Sequence, residues 1–350
     1  MTTAHIPLVD LSDWSPDDGA ARERLAGHVD RALRSTGFLL VTGHGIDPGL
    51  PARVRAAARE FFHLPAEVKA RYAQLPERRG WIGRDQVVTA RSEGTLTPPD
   101  LLEVWSCAAG GVRLPGRWPD EVPELLPLVT EYTGRMHALA DTLLRVMATA
   151  LHLPGDFFTR HTDRPHWDFT VNWYPAAAET GPALPGQFRV GPHTDFGLIT
   201  LLDREPGRGG LQVYEEEGTG AGAGAGTGAG AGAGGTAGAG AGGTAGARAG
   251  TRGDAGAAGW RDAPYVPGAV TLNIGDLMAR WSGDRWRSGR HRVLAPPSDA
   301  AREELTSLVY FHGCAPGTLV ESLGAPVGRR RYAGVRAGDY LAAKMRAILG

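Results

Sequence analysis

Gly191-Pro192-His193-Thr194-Asp195-Phe196-Gly197 places an imidazole two residues from a carboxylate. In extended backbone, side chains at i and i+2 share a face, so His193 and Asp195 can address one object. The apolar run of Leu198, Ile199, Leu201 and Leu202 follows, as in a buried strand. This pair lacks only a second imidazole to complete the 2-His-1-carboxylate set that holds non-haem Fe(II) with positions left open. Taken alone it also reads as a turn with a satisfied histidine, so its meaning depends on the rest of the chain.

Composition narrows the field. A net charge of −1 over 350 residues gives no global attraction for nucleic acid or an anionic membrane surface. The 2 cysteines, Cys107 and Cys314, make neither a disulfide framework nor a zinc motif. The opening Met1-Thr2-Thr3-Ala4-His5-Ile6-Pro7 has no basic or apolar leader region, and no apolar run is long enough to span a bilayer. The expectation is a soluble, cytoplasmic, monomeric protein without nucleic-acid or membrane partners. The alanine, glycine and arginine content suggests a GC-rich bacterial genome and specialised metabolism, antibiotic biosynthesis included.

The front of the chain alternates strands and helices. Ile6, Leu8, Val9 and Leu11 read as a short strand, and Ser15-Pro16-Asp17-Asp18 as a capped helix start. Leu25, Val29 and Leu33 recur at helical spacing, and Gly37 closes that helix. Residues 38–42 read as a buried strand leading to the turn Gly43-His44-Gly45, whose histidine suits backbone hydrogen bonding. Helices are expected at 51–62 and 67–72. Residues 78–83 read as a loop anchored by Trp81. A long helix is expected up to about Leu151, with Met136, Leu139, Leu143, Met147 and Ala150 on its core face.

After Pro154 short strands replace helices: 169–174, 187–190, 198–202, 211–214, 269–274, 291–294 and 307–312. Their spacing predicts a mainly β fold of sandwich or jelly-roll type with flanking helices, the last at 338–349. Residues 218–259 interrupt the pattern with almost pure Gly, Ala and Thr. Such a segment buries too little apolar surface to offset its ordering entropy, so it reads as a flexible hairpin insertion.

The missing imidazole is expected on a later strand, and His291 opens one. The order of His193-x-Asp195, Gly210-Leu211-Gln212-Val213, Val266-Pro267-Gly268, Asn273-Ile274-Gly275-Asp276 and His291-Arg292-Val293 resembles the iron- and 2-oxoglutarate-dependent dioxygenases of the isopenicillin-N-synthase-like family. Ile6-Pro7-Leu8-Val9-Asp10-Leu11, Gly37-Phe38 through Gly45 and Phe61-Phe62-x-Leu64-Pro65 extend the resemblance to the front half. It implies a double-stranded β-helix core, residues 121–350, with an N-terminal region, residues 1–120, packed on it. It implies Fe(II) held by His193, Asp195 and His291, O2 as oxidant, and oxidation of a small molecule by hydroxylation, desaturation or cyclisation. Succinate and CO2 are the coproducts of 2-oxoglutarate. A rival pair, His166 and Asp168, precedes the Asn172-Trp173-Tyr174-Pro175 motif, whereas the family's metal pair follows it.

Asn172, Tyr174 and Ser307 match positions that seat 2-oxoglutarate in relatives. Leu305 stands where the family carries the arginine that pairs with the far carboxylate of 2-oxoglutarate. Arg280, Arg292 and Arg302 are the candidate substitutes. The departure keeps two alternatives open: an oxidase of the same fold that needs no 2-oxoglutarate, and a non-catalytic metal-binding relative. Arg79, Trp81, Arg84 and Phe196 are candidate substrate contacts, and Arg329-Arg330-Arg331 is a basic run that could meet an anion. His161 and His312 read as structural or exposed.

Overall fold

A computed structural model describes residues 3–15, 17–74, 79–109, 117–162, 166–216 and 258–349. The opening strand β1 (Leu8–Asp10) pairs in parallel with β2 (Phe38–Thr42). Phe38, Leu39, Leu40 and Val41 are all buried, because β2 is an interior strand covered on both faces, so it reads as a continuous apolar run. Between the two strands lies α1 (Gly19–Ser35). Its cap is Asp18, whose Oδ1 accepts from the Ala21 amide at 3.0 Å, and not Ser15 as the sequence suggests. An aspartate next to the first helical turn offers a charged acceptor where the helix dipole favours it.

Next come α2 (Gly49–Phe62), α3 (Ala66–Lys69), β3 (Ala73–Gln74), β4 (Arg79–Ile82) and β5 (Glu103–Ala109). The loop expected around Trp81 is therefore strand β4, with Trp81 opposite Trp105 on β5. Gly80 and Gly83 mimic turn signals, but the ladder to β5 takes up the backbone hydrogen bonds. The long helix is α4 (Leu125–Ala150), and its Met136, Leu139, Leu143 and Met147 are buried as core. With α1 and α2 it covers one face of the larger sheet.

The strand-rich part comprises β6 (His166–Tyr174), α5 (Ala177–Thr180), β7 (Phe188–His193), β8 (Ile199–Asp203), β9 (Leu211–Glu215), β10 (Gly259–Asp262), β11 (Val270–Ile274), α6 (Asp276–Trp281), β12 (His291–Leu294), β13 (Leu305–Gly313), β14 (Leu319–Val320), β15 (Val335–Arg336) and α7 (Ala337–Leu349). A nine-stranded sheet, ordered β1-β2-β11-β8-β13-β6-β5-β4-β3, packs against a four-stranded sheet, ordered β10-β9-β12-β7. Phe38 and Leu40 of the first meet Val213 of the second, and Tyr174 and Leu305 meet Val190, closing the jelly roll. β9 and β10 form the expected hairpin, with Glu215 opposite Gly259. The Gly/Ala-rich segment between them, residues 217–257, lies outside the described residues. No helix among the described residues is long and apolar enough to cross a membrane.

Two backbone crossings fix the loops at one end of the roll. The Gly275 amide donates to Leu198 O at 2.9 Å and the Asp276 amide to Asp195 O at 2.7 Å. A Cβ on Gly275 would stand 2.3 Å from Gly197 O, so only glycine fits. Gly275→Ala is expected to lower unfolding free energy by about 1–3 kcal/mol, read as a lower midpoint in chemical denaturation. A neutral result would show that this crossing yields freely.

Candidate metal centre

β7 ends at His193 and β12 begins at His291, and the two residues sit opposite each other in the antiparallel ladder. Their ring centroids are 4.2 Å apart. Asp195 follows β7, and a donor atom from each of the three residues lies within 4.8 Å of the others. His193 Nδ1 is 2.8 Å from Gly191 O, and His291 Nδ1 is 3.0 Å from Gly289 O. A carbonyl only accepts, so each Nδ1 carries the proton and each Nε2 keeps its lone pair for the centre. The edge of the Phe38 ring packs on His291 at 5.5 Å between centroids.

Asp195 is held as closely. Its Oδ2 accepts from Thr200 Oγ1 and from Asn273 Nδ2, both at 2.6 Å. Thr200 and Asn273 face each other across β8 and β11. Oδ1 is thereby left toward the imidazoles, 3.6 Å from His193 Nε2. Burial, then the adjacent His291, pushes His193 down to about 4, so it is neutral at pH 7. Burial raises Asp195, but the positive charge that His291 and His193 carry when protonated, together with the hydrogen bonds from Thr200 and Asn273, outweighs it and holds Asp195 below the usual carboxylate range. Two imidazole ligands and one carboxylate on one side of a site fit a ferrous ion with open positions.

A second group, His137, Asp141 and His312, also brings donor atoms within 4.8 Å of one another. It lies outside the roll, between α4 and β13. Neither ring nitrogen of the fully buried His312 has a hydrogen-bond partner, so that ring is not oriented as His193 and His291 are. Burial, then His137, holds His312 at about 3 and therefore neutral.

The other sequence candidates are dispersed. Ser307 pairs opposite Asn172, and Leu305 opposite Tyr174, on β13 and β6. The Tyr174 hydroxyl bonds with Ser307 and Asn172. Asp168, of the rival pair, is ion-paired with Arg79 on β6 and β4, in the other sheet from His193. Trp81 Nε1 donates to Glu103 Oε2 at 2.7 Å. Trp81 and Arg84 line a cavity of about 450 Å³ at that sheet's outer strands. Phe196, next to Asp195 in the chain, lies 5.3 Å below the Lys344 ammonium of α7. His44 Nε2 is 2.9 Å from Gly268 O, a loop staple as expected, and His161 packs on Trp281.

Sequence reasoning gave no role to Thr200, Phe38 or Asn273. Thr200 is hidden inside an apolar strand, and Phe38 lies far away in the chain. The signal for Asn273 was present in its motif. Beside the centre opens a cavity of about 790 Å³, lined by Thr194, Tyr214, Ser288, Arg290, Tyr340 and Lys344 among others. Its wall carries more cationic than anionic side chains, some of them paired: Asp276 accepts from Ser288 Oγ at 2.6 Å and Lys344 Nζ at 2.7 Å, and Arg290 pairs with Glu93. Arg329 and Arg330, from the basic run, also line it.

Two family models match the chain. One, the N-terminal region of non-haem dioxygenases in morphine synthesis, covers residues 6–125, and the 2OG-Fe(II) oxygenase superfamily covers residues 244–313. Validamycin A dioxygenase of Streptomyces hygroscopicus subsp. limoneus is 38% identical over 337 residues, covering 93% of this chain and 81% of that one. Proline hydroxylase buaE of Petromyces alliaceus is 27% identical, covering 91% of each. Among solved structures, a full-length Neurospora crassa protein crystallised in complex with alpha-KG and thymine superposes with a TM-score of 0.76 at 26% identity, covering 98% of this chain and 96% of that one.

The hydrogen bonds to Asp195 generate a test. Thr200→Val and Asn273→Leu are each expected to leave the fold intact by circular dichroism. Each should weaken Fe(II) binding about 10–100-fold in an anaerobic metal-competition titration. Unchanged affinity would show that Asp195 is oriented without them.

Proposed function

The chain belongs to the iron- and 2-oxoglutarate-dependent oxygenases, and from that premise we propose that His193, Asp195 and His291 are its iron ligands and that the adjacent polar cavity receives a small hydrophilic substrate. As a member of that family it is an enzyme that uses Fe(II), 2-oxoglutarate and O2. The relatives are dioxygenases and hydroxylases, so neither the co-substrate-free oxidase nor the non-catalytic reading is retained. The observation that carries the ligand assignment is the pair of histidines opposed across β7 and β12 with both Nδ1 atoms committed to backbone carbonyls.

Bound iron, with its co-substrate and O2, supplies the oxidising chemistry and leaves succinate and CO2 as coproducts. The protein's own part is positional and electrostatic. His193 and His291 offer lone pairs from fixed rings, and Asp195 offers one negative oxygen because its other is engaged by Thr200 and Asn273. Apolar walls from Phe38, Leu40 and Val213 keep bulk water from the roll interior. Asn172, Tyr174 and Ser307 form a polar step between the sheets that suits the co-substrate.

The cavity favours a substrate rich in hydroxyl or charged groups, since its wall offers hydroxyl, guanidinium, ammonium and carboxylate groups. The name of the 38% identical relative, a validamycin A dioxygenase, supports the same class. The test is an anaerobic titration of the Fe(II)-loaded protein with 2-oxoglutarate, followed by the weak visible charge-transfer band of keto-acid chelation. Wild type is expected to saturate. His193→Ala and His291→Ala should lose both the band and iron-dependent succinate release. Either variant retaining iron and band would remove that histidine from the ligand set.

A further inference from the structure

Arg189 is 1% exposed, the most buried arginine among the described residues. It lies on β7, four residues before His193 in the chain. Its guanidinium stacks over the Tyr174 ring at 5.5 Å, a contact that crosses from the four-stranded to the nine-stranded sheet and so lies inside the roll. Nη1 donates to Arg208 O at 3.2 Å. Nε and Nη2 have no hydrogen-bond partner. These two nitrogens form the side-on edge of the guanidinium fork, the edge that a carboxylate occupies with both oxygens. The same edge of Arg285 is filled in this way by Asp30, at 2.8 and 2.9 Å.

Burial of an arginine with that edge open is costly unless something fills it. Among the described residues the carboxylate paired with Arg189 is Glu303, and it does not fill that edge. Its Oε1 is 3.8 Å from Nη2 and itself lacks a partner, while its Oε2 is engaged by the Arg208 amide at 2.7 Å. The surroundings match an incoming dicarboxylate. Tyr174, on which Arg189 stacks, bonds with Ser307 and Asn172 and pairs opposite Leu305. Leu305 and the Glu303 carboxylate both border Gly207, where a Cβ would stand 2.8 Å and 2.7 Å from them. The guanidinium thus reaches the neighbourhood of the leucine that replaces the expected arginine. Four residues of strand span at most about 13 Å, a gap that an arginine side chain and a five-carbon diacid chelated at His193 can share. The substitutes suggested by the sequence are engaged elsewhere or exposed. Arg292 bonds Gln212 and stacks on Trp260, Arg280 bonds Ala333 O, and Arg302 is exposed.

We propose that Arg189 binds the far carboxylate of 2-oxoglutarate bidentately, doing from β7 what an arginine at position 305 would do from β13. This rests on the reading of the metal centre given above. The measurement separates the two. Wild type and Arg189→Gln, both Fe(II)-loaded and anaerobic, are titrated with 2-oxoglutarate and with 2-oxopentanoate, which has the same keto acid end and no far carboxylate. Absence of a 2-oxoglutarate band in wild type would overturn the functional reading itself.

With wild type saturating, Arg189→Gln should raise the half-saturating 2-oxoglutarate concentration about 100-fold or more and leave that of 2-oxopentanoate nearly unchanged. Adding Leu305→Arg to this variant should restore much of the loss. Unchanged 2-oxoglutarate binding, or equal weakening of both keto acids, would overturn the assignment and leave Arg189 a structural partner of Glu303. Should Arg189→Gln not fold, Glu303→Gln decides. Removing the competing carboxylate should tighten 2-oxoglutarate several-fold, and unchanged or weaker binding would overturn the proposal.

Discussion

A carboxylate closed inside apolar strands must be met by positive charge or donated hydrogens, or it gives up its ionisation. Asp195, 6% exposed, is such a group, and the interior of the roll is arranged around meeting it. Thr200 and Asn273 reach the same oxygen only because β8 and β11 are paired in the register that sets them opposite each other. The imidazoles reach the other side only because β7 and β12 align His193 with His291. One oxygen answers to the larger sheet and its neighbour faces the imidazoles of the smaller, so a slip in either ladder would pull the group apart. Fold and site are in this sense a single constraint.

The glycines of the motifs serve the same end by letting backbone meet backbone. Gly275 lies against Gly197, which ties the loop after β11 to the segment carrying Asp195. Gly37 and Gly289 do likewise: a Cβ on the first would stand 2.1 Å from Arg287 O, and one on the second 2.1 Å from the Phe38 ring. The front half of the chain thereby presses the Phe38 ring against His291. Arg285 and Trp286 anchor the same approach by sharing Asp30 of α1.

Much of this was legible in the residues. The strands of the roll and the core stripe of α4 follow from periodicity, whereas the grouping of His193 and Asp195 with His291, which the structure brings together, was implied by the order of motifs shared with the family. The failures have local causes. Ser15 looked like a helix cap because caps are short-range, and Asp18 competes for the same role a few residues later. Residues 79–82 looked like a loop because glycines signal turns, while their strand character comes from β5, a partner distant in the chain. Arg189 escaped notice because nothing in its own segment marks it. Its burial is set by Tyr174, and the open edge of its fork is visible only when two sheets are brought together. Where a charge ends up in space is decided by such pairings, which its position along the chain does not reveal.

The β9–β10 ladder runs from Gln212 opposite Asp262 to Glu215 opposite Gly259. Whatever chain joins its ends must start and finish one strand spacing apart. Closing such a loop becomes only logarithmically harder as the loop lengthens. The hairpin is therefore a join at which added or lost length is felt little by the ladders on either side.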